Sequence, residues 1–328
     1  MTALATPNTT DESNVASLDA PSRSLWADAW IRLRRNKAAV VGMFIIGFFV
    51  IVALFAPLIA PHNPLQIHDG MSYLPPAWVD ESSTGRVGDP RFLLGTDTIG
   101  RDVLSRVIYG SRVSLVVGLA PVVVILLVGV LVGLISGFTG GRTDNLMMRI
   151  TDIFYAFPAL LLYIIMMVTL RDTPLGRVWN GMLLLFLALA IVSWVGVARL
   201  VRGSVLALKE KEFVEAAKSI GSTDGRIMWR HIFPNSLSPI VVWLAFAIPR
   251  LIIAEAILGY LGLGIRPSTD PDALFITSWG VLMLEGQTAI NIQPWILLVP
   301  SLCVGFLVLA FTFLGDGLRD ALDPRMKR

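Results

Sequence analysis

The sequence predicts an all-α polytopic membrane protein with six transmembrane helices and both termini in the cytoplasm. Three observations predict this class. Among the 328 residues 55% are hydrophobic and 16% are charged, with a mean hydropathy of +0.70, whereas soluble domains carry about 25% charged residues. Six apolar segments approach or exceed the roughly 20 residues that a helix needs to cross the hydrocarbon core. The lysines and arginines are divided unevenly among the segments between them.

The six predicted spans are separated by segments that are much richer in charged residues. They cover residues 38–60, 113–138, 153–170, 181–198, 239–264 and 294–315. Only the fifth contains charged residues, Arg250 and Glu255. Pro121 and Pro158, in the second and third spans, are either kinks in a moving bundle or prolines that a membrane helix tolerates. Cys303, in the sixth span, is predicted to be a packed thiol rather than a reactive one.

The distribution of positive charge predicts the orientation of the bundle. With the N-terminus inside, the inner segments hold 18 of the 27 lysines and arginines, the outer segments hold eight, and all five lysines lie inside. Because cytoplasmic loops carry an excess of these residues, both termini are predicted to be cytoplasmic. The net charge of +3 is therefore a signal of topology and does not indicate nucleic-acid binding.

The chain divides into three predicted regions. Residues 1–24 form a disordered cytoplasmic tail, residues 25–112 an N-terminal region with the first transmembrane helix and an extracytoplasmic loop, and residues 113–328 a core of five helices. The end of the outer loop, residues 101–112, is predicted to form an amphipathic helix on the outer membrane interface. Residues 265–293 are predicted to fold as a cap on the same side.

We find no catalytic pattern in the sequence. A P-loop needs a glycine before its lysine, whereas the only lysine followed by serine or threonine, Lys218, follows Ala217. No nucleophile elbow or zinc-protease pattern favours an intramembrane hydrolase. A stand-alone channel or secondary transporter would need internal repeats or an ion-binding constellation in its spans, and we find neither. His62, His68 and Asp69 form either a weak outer metal site or a solvated loop, and we expect the loop.

The longest cytoplasmic loop, residues 199–238, contains a short amphipathic helix that ends at Gly221. Its apolar residues recur at helical spacing and form one stripe. They are Phe213, Ala216, Ala217 and Ile220. Because we find no soluble domain in the sequence that is large enough to cover this stripe, the helix packs either on another protein or on the cytoplasmic ends of its own spans.

Four stretches of the sequence resemble one family of transporters. They are "EFVEAAKSIGSTDGRIMWRHIFPN" (212–235), "LGTDTIGRDVLSRVIYGSRVSL" (94–115), "EAILGYLGLG" (255–264) and "GDGLRDALDPR" (315–325). The first resembles the EAA loop of ABC importer permeases. The other three narrow the resemblance to the C-type permeases of dipeptide, oligopeptide and nickel importers. The resemblance covers residues 25–328 and implies the type I permease fold of ABC importers, with a cytoplasmic coupling helix.

This resemblance also implies a role for the cytoplasmic helix, which would be seated in a groove of an ATPase. The coupling residues that it assigns are Phe213, Glu215, Ala216, Ala217 and Gly221. The implied partners are a homologous B-type permease, two cytoplasmic ABC ATPases, an extracytoplasmic substrate-binding protein and membrane lipid, with no nucleic acid. ATP and Mg²⁺ would bind to the ATPases, so this chain would need no cofactor and would not itself be an enzyme.

The resemblance implies a location in the bacterial plasma (inner) membrane and a pathway for dipeptides or oligopeptides, with nickel or another small solute as the alternative. Arg250 and Glu255 are candidates for lining that pathway, because a charge near the middle of a membrane costs about 2.5–3.5 kcal/mol and usually faces a bundle interior or a cavity. They lie about 140° apart around a helix and are not expected to pair. Glu255 either lines the route and meets the amino group of a peptide or braces a neighbouring span.

Overall fold

The computed structural model describes residues 25–80, 82, 85–270 and 273–323. These residues are mostly helical and contain no β-strand, which confirms the all-α class. Their α-helices are α1 (Leu25–Arg35), α2 (Lys37–Leu54), α3 (Ala56–Ile59), α4 (Val103–Thr139), α5 (Gly141–Ala156), α6 (Ala159–Leu170), α7 (Pro174–Arg177), α8 (Met182–Leu208), α9 (Glu212–Ser219), α10 (Asp224–Ile227), α11 (Phe233–Tyr260), α12 (Trp279–Thr288) and α13 (Trp295–Leu322). The predicted tail, residues 1–24, lies outside the described residues.

Five helical stretches in the described residues are long and apolar enough to cross a membrane. They are Lys37–Leu54, Val103–Thr139, Pro174–Leu208, Asp224–Tyr260 and Trp295–Leu322. A sixth span exists only if α5 and α6, which meet at an angle of 80°, are counted together. The total of six spans and the cytoplasmic position of both termini therefore stay predictions.

The third predicted span, residues 153–170, is broken rather than straight. Helix α5 ends at Ala156, and α6 begins at Ala159 and has 12 residues, which is a length of about 18 Å and too short to cross a core of about 30 Å alone. The break has a local cause. The ring of Pro158 disfavours a helical backbone at the residue before it, and Phe157 accordingly has an extended conformation, with φ −80° and ψ 133°.

The prediction of an interfacial helix over residues 101–112 is wrong, because residues 103–112 are the first turns of α4. Helix α4 runs unbroken from Val103 to Thr139, and its first turns are buried in the protein. Its Arg106 is only 1% exposed. The prediction fails because this arginine does not need the water of a membrane interface, since its partners are supplied by the protein.

Those partners belong to a network of two arginines and two carboxylates, in which Arg106 and Asp97 are buried. Arg106 Nη1 lies 2.6 Å from Asp97 Oδ2, and the same guanidinium contacts Glu285 of α12. Arg101 Nε lies 2.7 Å from Asp97 Oδ2, and its Nη2 lies 3.3 Å from Glu285 Oε2. The two positive charges balance the two negative ones, and the network joins the segment before α4 to α4 and α12.

The cap predicted for residues 265–293 contains α12, which packs against α4. Trp279, at the start of α12, is completely buried, and its Nε1 donates a hydrogen bond to the backbone oxygen of Val107 at 2.9 Å. Gly110 leaves room for the indole, because a methyl group built there would stand 2.8 Å from Trp279 Cδ1. The cap is therefore attached to the end of a long membrane helix.

Helices α4 and α8 pack along a seam of small residues. Gly129, Gly133 and Gly137 recur every four residues on one face of α4, which is the pattern that lets membrane helices approach closely. A methyl group built on Gly133 would stand 2.6 Å from the backbone oxygen of Ala198, and one built on Gly129 would stand 2.5 Å from Cβ of Val197. The glycines thus bring the two backbones into direct contact in the centre of the bundle.

Candidate functional site

The short helix predicted between the fourth and fifth spans lies where the sequence predicts it and forms α9, Glu212–Ser219. Its end is fixed by Gly221, whose φ of +79° is accessible to glycine at little steric cost. The Gly221 amide donates to the Lys218 oxygen at 2.9 Å, and the Ser222 amide donates to the Ala217 oxygen at 3.0 Å. These bonds satisfy carbonyls that the end of a helix leaves free, and they confirm the predicted stop.

One face of α9 is part of the bundle. Val214 and Ala217 are buried and belong to the main apolar core, which also contains Val205 of α8 and Ile232. The sequence predicts a single stripe that contains Ala217 together with Ala216, whereas the structure buries Ala217 and leaves Ala216 exposed. At about 100° per residue, Ala217 lies between Val214 and the outer face, and the core covers both residues.

The other face of α9 is exposed. Phe213, Ala216 and Ile220 lie on it, with Ile220 83% exposed, and Glu215 is also exposed. The sequence left open whether the helix packs on another protein or on its own spans. In the structure one face packs on the spans, and the neighbouring apolar face remains available.

A charged clamp holds the helices beside α9. Both oxygens of Asp144, at the start of α5, accept hydrogen bonds from Arg202 of α8, from Nε and from Nη2, each at 2.6 Å. The Ser136 hydroxyl of α4 donates to the same carboxylate, and Lys209 Nζ donates to the Gly137 oxygen at 3.3 Å. The ends of α4, α5 and α8 are therefore fixed to one another.

Glu255 lies in the interior of the bundle and braces two helices. It is 0% exposed on α11, and the Ser114 hydroxyl of α4 donates to its carboxyl at 3.1 Å. Of the two alternatives for Glu255, this arrangement supports the brace, because the carboxyl points to a neighbouring helix and does not line the cavity beside Arg250.

Arg250 has a different environment from Glu255, and no ion pair joins the two among the described residues. Arg250 is exposed and lines a cavity of about 490 Å³ between the α5–α6 bend, α8 and α11. The wall of this cavity is rich in aromatic side chains. They are Phe154, Tyr155, Phe157, Tyr163 and Trp243.

The two histidines in the segment before α4 pack on a phenylalanine. His62 stacks on Phe92 with 4.9 Å between ring centroids, and His68 meets the same ring edge-on, also at 4.9 Å. His62 Nδ1 lies 3.5 Å from Asp102 Oδ2. Within the part of the chain that the structure describes, no group of three or more histidine, cysteine, aspartate or glutamate residues is placed to hold a metal ion.

Comparison with known families identifies the chain. Residues 129–328 match the model of the family described as the binding-protein-dependent transport system inner membrane component. The chain belongs to this family. Residues 24–76 match the N-terminal transmembrane domain of oligopeptide transport permease C, which confirms the predicted C-type permease. The protein is thus a multi-pass permease subunit of an ABC importer in the inner membrane.

Curated relatives of this permease match it over nearly the whole chain. The oligopeptide transport system permease protein OppC of Bacillus subtilis is 37% identical over 98% of this chain and 97% of its own length. OppC of Escherichia coli K12 is 38% identical over 94% of each chain. The dipeptide transport system permease protein DppC of B. subtilis is 38% identical over 95% of this chain and 89% of its own.

A solved structure supports the fold of the permease. The MetNI methionine ABC transporter, in an inward-facing conformation, matches 67% of this chain and 97% of its own chain with a TM-score of 0.51 and 18% identity. This likeness confirms the predicted ABC importer permease fold.

Several residues of the site were missed by the sequence interpretation. Val214, which anchors α9, is a single aliphatic residue outside the predicted stripe. Asp144 and Arg202 are 58 residues apart, although an acidic residue six positions after a long apolar span is a signal that could have indicated a clamp. The aromatic residues around Arg250 were read only as apolar membrane residues, because their common wall depends on the α5–α6 bend.

Proposed function

We propose that this permease forms one half of the translocation pathway of an ABC importer for dipeptides and oligopeptides, and that α9 couples it to a cytoplasmic ATPase. The relatives named above are permeases of peptide transport systems, which favours peptides over nickel. The proposed partners are a homologous B-type permease, two ABC ATPases that bind ATP and Mg²⁺, and an extracytoplasmic binding protein. Both termini would lie in the cytoplasm with α9.

The observation that supports the coupling role is the division of α9 into two faces. Val214 and Ala217 anchor the helix in the main core, while Phe213, Ala216 and Ile220 remain exposed. A protein that binds the exposed face would therefore move α9 together with the spans beneath it. Rigid movements of this kind are a common way to convert ligand-driven closure of one domain into rearrangement of another.

The clamp between α5 and α8 supports the same mechanism. The bidentate pair of Asp144 and Arg202 joins the cytoplasmic ends of two membrane helices close to α9, and charge-assisted pairs of this geometry resist displacement. A push on α9 would reach α8 through the core around Val214 and would reach α5 through the clamp. ATP-driven closure of the ATPases would then rock the bundle between inward-open and outward-open states.

The coupling role is tested by enlarging the small residue on the exposed face. Ala216→Trp should leave the permease folded in the membrane but reduce its association with the ATPase at least roughly tenfold, the effect of about 1.4 kcal/mol. The measurement is the amount of ATPase that co-purifies with the tagged permease complex. Lys211→Trp, on the opposite side of α9, is the matched control. Full ATPase recovery with Ala216→Trp would refute the coupling role.

The substrate is tested by uptake into cells that lack this gene and the same cells carrying it. Labelled dipeptides and tripeptides should accumulate only in the complemented cells, and labelled Ni²⁺ should accumulate equally in both. Gene-dependent uptake of nickel without uptake of any peptide would refute the proposed substrate class.

A further inference from the structure

The cavity beside Arg250 has the size and lining of a ligand-binding site. Its volume of about 490 Å³ falls in the range of roughly 300–1,000 Å³ that is usual for small-ligand pockets. Five of its 13 lining residues are aromatic, and its polar side chains include Arg250, Tyr163 and Ser193, with no carboxylate among the lining residues. The cavity is thus apolar around a single positive charge.

Arg250 lies deep in the membrane-spanning part of α11. It is 17 residues after Phe233, where α11 begins, and 10 residues before Tyr260, where α11 ends. At 1.5 Å per residue it lies about 25 Å from one end of the helix and about 15 Å from the other. A substrate that crosses the membrane beside α11 would pass this level.

The charge on Arg250 is not neutralised by the described part of the chain. The other arginine near the cavity, Arg199, pairs with Asp152 at 2.6 Å and stacks over Tyr155 at 4.0 Å. Glu255, the nearest acidic residue along α11, is buried against α4. Arg250 forms no ion pair among the described residues, so its guanidinium is available to a ligand.

The cavity wall is shaped by a close contact between α8 and α11. A methyl group built on Gly196 of α8 would stand 3.0 Å from Trp243 Cζ2, so the glycine lets the indole lie directly across α8. Ser193, one turn earlier, keeps its hydroxyl bonded to the Leu189 oxygen at 2.7 Å. The Ser193 hydroxyl is therefore already paired within α8, and the Trp243 indole forms part of the wall near Arg250.

We propose that this cavity is a membrane-level subsite for the C-terminal carboxylate of a peptide in transit. The inference rests on the proposed function and adds to it a specific contact. Arg250 would bind the carboxylate through its planar fork of N–H donors, which matches both oxygens. The aromatic wall would accept peptide side chains of different shape, because it offers ring surface without demanding particular hydrogen bonds.

The geometry favours a peptide over an acidic residue of the partner permease as the occupant. Arg250 lines a concave site formed by three elements of this chain, the α5–α6 bend, α8 and α11. A flat interface between subunits would need no cavity of this volume. A carboxylate at the end of a short peptide can enter such a site together with the residues that precede it.

The test measures binding to the purified importer complex in nanodiscs without its binding protein, so that only the membrane site is sampled. The probes are labelled trialanine and trialanine amide, which lacks the carboxylate charge. The wild-type complex should bind trialanine at least about tenfold more tightly than the amide. Arg250→Gln should abolish this preference, and Arg250→Lys should retain part of it. Arg149→Gln, at an exposed position of α5 outside the cavity, should leave it unchanged.

A second variant tests the cavity independently of the charge. Gly196→Val keeps Arg250 but pushes Trp243 into the cavity, and it should weaken binding of both probes by a similar factor. The proposal is overturned if the wild type does not distinguish the probes, if Arg250→Gln keeps the preference, or if Gly196→Val binds both probes normally. It is also overturned if Arg250→Gln prevents assembly of the two permeases, since Arg250 would then pair with the partner.

Cellular uptake separates this inference from the proposed function. A wild-type importer that takes up no peptide would refute the proposed function. A wild-type importer that takes up trialanine but shows no preference for its carboxylate at the membrane site would refute only the subsite at Arg250.

Discussion

Replacing Arg106 by methionine should destabilise the protein strongly. Arg106 is almost completely buried between Asp97 and Glu285. Removing one side of a buried ion pair costs about 3–5 kcal/mol, because the remaining charge stays buried without its partner. Arg101 still lies 2.7 Å from Asp97, so we expect a loss near the lower limit, about 3 kcal/mol.

The same reasoning predicts that a second substitution repairs part of this damage. Arg106→Met combined with Glu285→Met removes one charge of each sign and leaves Arg101 and Asp97 as a balanced pair. Methionine is flexible and fills irregular space in a core, and replacing a buried ion pair by apolar residues is often neutral. The double variant should therefore recover at least about 1 kcal/mol relative to the single one.

The assay is thermal unfolding of the purified permease complex in nanodiscs, followed by tryptophan fluorescence. Arg91→Met is the matched control, because Arg91 pairs with Asp89 on an exposed loop and its removal should leave the midpoint unchanged. The reasoning is refuted if Arg106→Met unfolds at the wild-type temperature, or if the double variant is less stable than the single one.

Three further predictions concern the packing of the bundle. Gly133→Leu should destabilise the α4–α8 contact by about 1–3 kcal/mol or more, since even a methyl group would stand 2.6 Å from a backbone oxygen. The measurement is the yield of folded complex, and the control is Gly47→Leu, because nothing lies within 4 Å of a methyl group built on Gly47. Asp144→Asn should weaken the clamp and speed hydrogen exchange in α5. Pro158→Ala should reduce the 80° bend, as spin-label distances across α5 and α6 would show.

Each of these predictions has a clear contrary result. Equal yields for the two glycine variants would show that the α4–α8 contact does not depend on the missing side chain. Unchanged exchange in α5 would show that the ion pair does not hold that helix. An unchanged label distance would show that the bend is imposed by packing and not by Pro158.

The sequence alone predicts those features of the structure that depend on local patterns. Apolar length predicts α13, which begins within one residue of the predicted span at 294, and glycine chemistry predicts the end of α9 at Gly221. The EAA-type motif predicts the family, because motif residues are contiguous. These features need only a few neighbouring residues to be recognised.

The sequence alone does not predict those features of the structure that depend on contacts between distant residues. Arg106 was placed in an interfacial helix because its partner Glu285 lies 179 residues further along the chain. Helical spacing groups Ala217 with Ala216 and Ile220 in one stripe, but it does not tell which of these residues the spans cover. The cavity beside Arg250 follows from a break at Pro158 whose angle no periodicity specifies. In each case tertiary packing decides between local alternatives.

The glycine seam between α4 and α8 limits how the permease can change shape. If α4 slid along α8 by one residue, about 1.5 Å, a residue with a side chain would take the place of Gly133. That side chain would clash with the backbone of α8, which leaves no room for a methyl group at this point. The two helices are therefore held in a single register and must move together as one rigid unit. Opening a route through the membrane then requires a hinge outside this pair of helices. The bend at Pro158, which lies beside the aromatic cavity, is in a position to act as that hinge.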